Sequence, residues 1–134
     1  MKTLSEEYTN HLISSLTRKI IKSNIRFDIV VGIANGGLNI SVPIAKSLKL
    51  PHKSVIIQTR DQHVIDTIDY NPSNKKVLVV DDIIDSGLTF KLFNQHFGKA
   101  QFATLCYREY SPKIEFVELL VHEYIVFPWE VENE

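Results

Sequence analysis

The sequence predicts an α/β fold, a mostly parallel sheet with helices on its faces. Three observations carry that prediction. The apolar runs FDIVVGI (Phe27 to Ile33), KVLVVD (Lys76 to Asp81) and QFATLCY (Gln101 to Tyr107) suit strands covered on both faces better than half-exposed ones. Stretches with apolar residues at helical spacing alternate with these runs, as the crossovers between parallel strands require. Glycine-bearing loops at Ala34 to Gly37 and at Asp82 to Leu88 close two of the strands, on the carboxyl edge where such sheets bind ligands.

Taken in order, Tyr8, Leu12, Ile13, Leu16, Ile20 and Ile21 recur at helical spacing and predict an amphipathic opening helix, with Thr3 and Glu6 as a capping box. The strand Phe27 to Ile33 ends at Gly36 and Gly37. A helix then runs over Leu38 to Leu50, with Ile40, Val42, Ile44, Ala45 and Leu48 on one face, and stops before Pro51, which disfavours continuing it. SVIIQT (Ser54 to Thr59) reads as a strand, residues 59 to 75 as a polar loop, and KVLVVD as the next strand. A helix from about Thr89 to Phe97 ends at Gly98, QFATLCY follows, and YIVFPW (Tyr124 to Trp129) reads as a last strand closed by Pro128. Leu119, Leu120 and Val121 face either the core or a partner subunit.

With 134 residues and 44% hydrophobic content the chain has the material for one sizeable core and is read as a single domain, residues 1–134. Its 15 basic and 16 acidic residues nearly cancel. No broad field favours a nucleic-acid backbone or an anionic membrane, so neither is expected as a partner, and an anionic ligand must be held by local geometry. The lone Cys106 has no internal disulfide partner, and no apolar run approaches the roughly 18 residues that span a bilayer, which together predict a cytoplasmic protein.

The chemistry concentrates in VLVVDDIIDSGLT, Val77 to Thr89. Taken one at a time, Asp85 or Ser86 would serve as a helix cap. Three carboxylates gathered at a sheet edge repel one another unless a cation or several hydroxyl donors meet them, and successive strand side chains point to opposite faces, so Asp81 and Asp82 share a target only where the strand is ending. A sugar diol with a magnesium ion supplies both partners. In DSGLT, Gly87 permits a tight turn, the following amides can converge, and Thr89 adds a hydroxyl at the positive end of a helix, which makes a phosphate cradle. The lysine and glycine spacing of a Walker A loop are absent. Diol-binding carboxylates beside a phosphate loop describe a site for a ribose 5-phosphate group.

VLVVDDIIDSGLT resembles the phosphoribosyl-pyrophosphate motif of the type I phosphoribosyltransferases. FDIVVGIANGGLNISVPIAKSLKL is similar to that family's first strand, pyrophosphate loop and following helix, and ATLCYR and YIVFPWE to base-recognition segments of its xanthine and hypoxanthine-guanine branch. The resemblance implies the family's single-domain α/β fold, with a small base-binding hood here placed over Arg60 to Tyr70. It implies transfer of a 5-phosphoribosyl group from 5-phosphoribosyl-1-pyrophosphate (PRPP) to a 6-oxopurine, with Mg2+ as cofactor, in a homo-oligomer, dimer or tetramer.

By the same resemblance Asp81 and Asp82 hold the ribose hydroxyls, Asp82 also contacts magnesium, and Asp85 is the catalytic proton acceptor. Ser86, Gly87, Leu88 and Thr89 wrap the 5-phosphate. Ala34, Asn35, Gly36 and Gly37 hold pyrophosphate, with a non-proline cis peptide at Ala34–Asn35. Asn35 stands where the family usually carries arginine or lysine, and Asp69-Tyr70 where a serine-tyrosine pair often marks the hood. Arg108 donates to the 6-oxygen of the base, Tyr124 stacks on it, Ile125 presents backbone to its 2-position, and Glu130 approaches a second magnesium. For Tyr124 the alternative is an aromatic closing the core, for Arg108 an ion pair with Glu109 or a neighbour, and for Glu130 a solvated charge. Trp129 is read as core, and His63, His96 and His122 show no metal-ligand spacing. Two other functions suit the same residues: a transferase acting on a pyrimidine or other acceptor, and a PRPP-binding regulator without turnover.

Overall fold

The computed structural model describes residues 1–60, 63–65 and 74–130. Among them the elements are β1 (Lys2–Thr3), α1 (Glu6–Lys22), β2 (Ile29–Ala34), α2 (Leu38–Leu48), β3 (His52–Gln58), β4 (His63–Ile65), β5 (Val77–Ile84), α3 (Leu88–Phe97), β6 (Gln101–Tyr107), β7 (Phe116–Leu120) and β8 (Ile125–Val126), with a 3-10 turn at Pro128–Glu130. The main sheet has the order β4-β3-β2-β5-β6-β7, and β3, β2, β5, β6 and β7 are mutually parallel. Only β4, at the edge, runs antiparallel. This is the predicted α/β class.

The sheet is buried on both faces by an alternation readable in VLVV. Leu78 and Val80 join Val30 in a core beneath α1 and α2, whose Leu12, Leu16, Ile20, Ile40 and Ile44 cover that face. Val77 and Val79 join Val31 in a second core beneath α3, filled by Phe90 and Phe93. Beyond Asp81 and Asp82 the alternation slips: Ile83 packs against the α1/α2 core and Ile84 enters the α3 core, the reverse of a strict two-residue period. The backbone is turned locally by two bonds, Asp82 N–H to Asp81 Oδ1 and Ile83 N–H to Asp82 Oδ1, both 2.8 Å. The strand therefore does not end at Asp81, as the sequence suggests; it continues to Ile84 with a changed phase.

Other boundaries also differ from expectation. The N-cap of α1 is Ser5, whose hydroxyl accepts from the Tyr8 N–H at 3.0 Å. Thr3 forms no capping box because it lies in β1, paired with Val126. The last predicted strand reduces to Ile125–Val126, in a two-stranded sheet with β1. It stops because the Phe127 N–H goes to Glu130 Oε1 at 2.9 Å and closes the turn. An unpredicted strand, β7, forms the far edge of the main sheet; Val121, just after it, is buried, Leu119 packs on the core and Leu120 sits at the margin. Within the predicted loop and hood, β4 is described, while Asp69 and Tyr70 lie outside the described residues. Among the described residues no helix is long and apolar enough to cross a membrane.

Candidate functional site

The order of strands places the site. From β2 the chain crosses to β3 on one side and returns to β5 on the other, so the carboxyl ends of β2 and β5 flank the point where the sheet reverses direction. The β2–β5 ladder ends at Gly32 opposite Val80, and beyond it β5 pairs only with β6. Asp81 and the residues after it thus face the loop that leaves β2. That loop fits against them only as glycine: a Cβ at Gly37 would stand 2.6 Å from the Ile33 carbonyl oxygen and 2.9 Å from that of Val80, and one at Gly36 2.5 Å from Asp82 Oδ2. The Ala34–Asn35 peptide is cis, as the resemblance implies.

One cavity of about 320 Å³ is lined by Asp81, Asp82, Asp85 and the run Ser86 to Thr89, with Thr59 at its rim. That volume is at the small end of the roughly 300–1,000 Å³ typical of small-molecule sites. A larger cavity of about 1030 Å³, between α3 and residues 112–115, shares Ile84, Ser86, Gly87, Leu88 and Phe90 with it and contains none of the three carboxylates. Burial holds the Asp81 carboxyl well above the usual carboxylate range, and the Asp82 charge adds to the effect. Asp82 is also raised, first by burial and further by the Glu130 charge, while its hydrogen bonds with Asp81 and the Ile83 N–H pull the other way. Such a pair favours a cation or hydroxyl donors. Gly87, at φ 87°, takes the left-handed turn that leads into α3; the N-cap glycine supplies no side chain, and the Leu88 N–H reaches Ser86 Oγ at 3.3 Å, a long contact that an outside acceptor at the helix start could replace.

The remaining predicted residues, Arg108, Tyr124, Ile125 and Glu130, do not line this cavity. Arg108 lies just beyond the end of β6 and donates from Nη1 to the Glu123 carbonyl at 2.8 Å, next to Tyr124, while its Nε is buried without a partner. It makes no ion pair with Glu109. Tyr124 is 66% exposed, so its ring does not close the core. Lys2 and Leu4 donate to the Tyr124 and Val126 carbonyls, and the carbonyl of the buried Ile125 therefore points to the opposite edge. Glu130 folds back onto Phe127 and lies near enough to Asp82 to raise its pKa. Trp129 stacks on Phe127 at 4.8 Å, as core packing predicts, yet its Nε1–H is buried without a partner beside Gly36. Among the described residues no group of three or more His, Cys, Asp or Glu forms a ready metal cage. Asp82 and Glu130 instead match the sparse carboxylate set of a magnesium ion that keeps waters and takes substrate oxygens.

The structure also brings in residues that the sequence did not single out. Tyr110 donates its phenol hydrogen to Asp85 Oδ1. Ser111 Oγ accepts from the Arg108 N–H at 3.0 Å and donates to the Ile84 carbonyl at 2.8 Å. Pro112 packs over Gly87, where a Cβ would be 2.8 Å from its Cγ. Only the Ser-Pro pair in REYSPK marked a turn there, and a turn says nothing about what it touches.

Residues 5–131 match the phosphoribosyl transferase domain family. The chain is 35% identical over 68 residues to the orotate phosphoribosyltransferase of Saccharolobus solfataricus, a match covering 51% of this chain and 35%, about a third, of that protein's length. Its fold is similar to the crystal structure of a purine phosphoribosyltransferase from Pyrococcus horikoshii Ot3, with a TM-score of 0.86 at 22% identity over 99% of this chain and 96% of that one. A xanthine-guanine-hypoxanthine phosphoribosyltransferase from Helicobacter pylori gives 0.81 at 20% identity over 98% and 94%.

Proposed function

This chain belongs to the phosphoribosyl transferase domain family, and from that premise we propose that it is a PRPP-dependent purine phosphoribosyltransferase, residues 1–134 forming one transferase domain that converts a 6-oxopurine to its nucleoside monophosphate with release of pyrophosphate. The observation that carries the reading is the convergence of a paired-carboxylate strand end, a glycine phosphate loop and the Asn35–Gly37 loop at the sheet's reversal point.

In this reading Asp81 and Asp82 accept from the two ribose hydroxyls, the Ser86–Thr89 backbone and hydroxyls surround the 5-phosphate, and the Asn35 and Gly36 amides receive the pyrophosphate, the Gly37 N–H being held by the Ile33 carbonyl at 3.0 Å. The bond from the anomeric carbon to pyrophosphate oxygen breaks with its electron pair leaving on pyrophosphate, and the carbon gains oxocarbenium character. The new bond forms from a purine nitrogen, whose proton passes to Asp85. Arg108 donates to the 6-oxygen, an arrangement that suits a carbonyl and not the amino group of adenine, and Tyr124 offers an open ring face to the base. Magnesium, held by Asp82 and Glu130, would supply positive charge to the phosphate oxygens. The purine names of the two solved neighbours support the acceptor class. A cytoplasmic location and assembly as a dimer or tetramer belong to the same proposal.

The match to an orotate enzyme and the absence of a basic residue at Asn35 favour a second reading, either another acceptor or PRPP binding without turnover. Pyrophosphate release with PRPP and magnesium, measured across guanine, xanthine, hypoxanthine, adenine, uracil and orotate, separates them. We expect turnover with at least one 6-oxopurine, and a loss of roughly 10²- to 10⁴-fold in kcat for Asp85→Asn with PRPP binding retained. Turnover with orotate alone, or PRPP binding without any turnover, would replace the purine assignment.

A further inference from the structure

We propose that Tyr110 is a positioning residue that sets the orientation of Asp85, an inference that rests on the transferase reading above. Asp85 is exposed on the loop after β5, and among the described residues its carboxylate has one hydrogen-bond partner, the Tyr110 hydroxyl. An exposed aspartate without such a partner turns freely about its terminal torsion, which is broad. A proton acceptor must instead present one oxygen to the reacting nitrogen within about 2.6–3.2 Å. Tyr110 takes one lone pair of Oδ1 and leaves Oδ2 open, so the carboxylate is fixed while its accepting oxygen stays available.

Burial does not explain the contact. Tyr110 is 70% exposed, so its ring contributes little to any core. Its backbone, however, lies in a turn that is closed on itself and fixed, through the residues after Tyr110, to the segment that carries Asp85. Before it, the Arg108 N–H bonds Ser111 Oγ, and the Ser111 N–H closes the turn onto the Arg108 carbonyl at 3.1 Å. After it, Ser111 Oγ reaches the Ile84 carbonyl and Pro112 rests on Gly87. The turn from Arg108 to Pro112 therefore links three parts of the site: the donor to the base oxygen, the proton acceptor and the phosphate loop. The bond to Asp85 also raises the Tyr110 pKa, so the phenol keeps the proton that it donates.

The test is a double-mutant cycle on the intact protein, with PRPP affinity measured by calorimetry beside turnover. Tyr110→Phe keeps the ring and removes only the hydroxyl. We expect its kcat to fall roughly 10- to 150-fold, the range of a hydrogen bond to a charged group, with PRPP affinity and melting temperature unchanged. In an Asp85→Asn background the same change should alter kcat by less than about 2-fold, because the partner it orients is gone. Wild-type kcat in Tyr110→Phe overturns the proposal, as does a loss that persists undiminished in the Asp85→Asn background, and a loss confined to Tyr110→Ala would assign the effect to the ring. A wild-type protein that turns over no base overturns the transferase reading, and the role of Tyr110 with it; an active wild type beside an unimpaired Tyr110→Phe overturns the role alone.

Discussion

Asp81 and Asp82 form a strained pair at the residue scale. Burial raises both, the Asp82 charge adding to the effect at Asp81 and the Glu130 charge at Asp82, and neither has a cationic partner among the described residues. Asp81→Asn keeps an oxygen to accept the Asp82 N–H and removes one charge. In metal-free buffer near neutral pH it is expected to raise the melting temperature by roughly 2 to 5 °C, the effect of about 1 kcal/mol in a chain of this size, while abolishing turnover. Calorimetric melts of the two proteins beside a turnover assay check both halves. Burial likewise pushes the Cys106 thiol up to about 12, so it stays protonated and inert, as its place inside an apolar strand foretold. The motif residues from Asp81 to Thr89 were legible because their spacing along one strand and turn already places them together. Tyr110 was not, because it lies 25 residues from Asp85 and only the turn's path brings it there.

At the scale of elements, close approach between β2, α2 and β3 depends on Gly32, where a Cβ would fall 2.1 Å from Ser41 Oγ. The fully buried Ser41 hydroxyl in turn meets His52 Nε2 at 2.8 Å and ties α2 to the start of β3. Burial lowers the His52 pKa, so the neutral ring belongs to the folded state. The unfolded chain then binds more protons between the lowered value and about 6.5, which makes this contribution complete above about pH 6.5 and lost as pH falls through the folded pKa. Between pH 7.5 and 5.5 the wild type should therefore lose more melting temperature than His52→Gln; equal losses would remove His52 from the account. Helix α1 and strands β2, β5 and β6 could be read from periodicity. Strand β7 could not, because FVELL is short and carries a glutamate at its centre, and its nearly buried Glu118 side chain is paired with Lys19 of α1 at 2.9 Å.

At the scale of the whole molecule, α1 covers β6 and β7 and packs on α2, so an element from the start of the chain closes the core formed by its end. Leu16, with no exposed surface, sits in that seam. Leu16→Ala should cost about 2–5 kcal/mol in urea unfolding, with the loss carried by the lower midpoint at unchanged slope. The sequence by itself determined the α/β class, the identity of the buried strands and the grouping of Asp81 to Thr89 on one strand end and turn, because each depends on periods and spacings within a few residues. Tertiary structure alone decided that β2 and β5 are neighbours, since nothing local in either strand encodes which strand it pairs with. That pairing sets Gly36 against Asp82 and opens the crevice at the sheet's reversal point. It was the fold, too, that carried the Arg108–Pro112 turn onto Asp85 and Gly87, because contacts between segments far apart in the chain are chosen by packing and not by spacing.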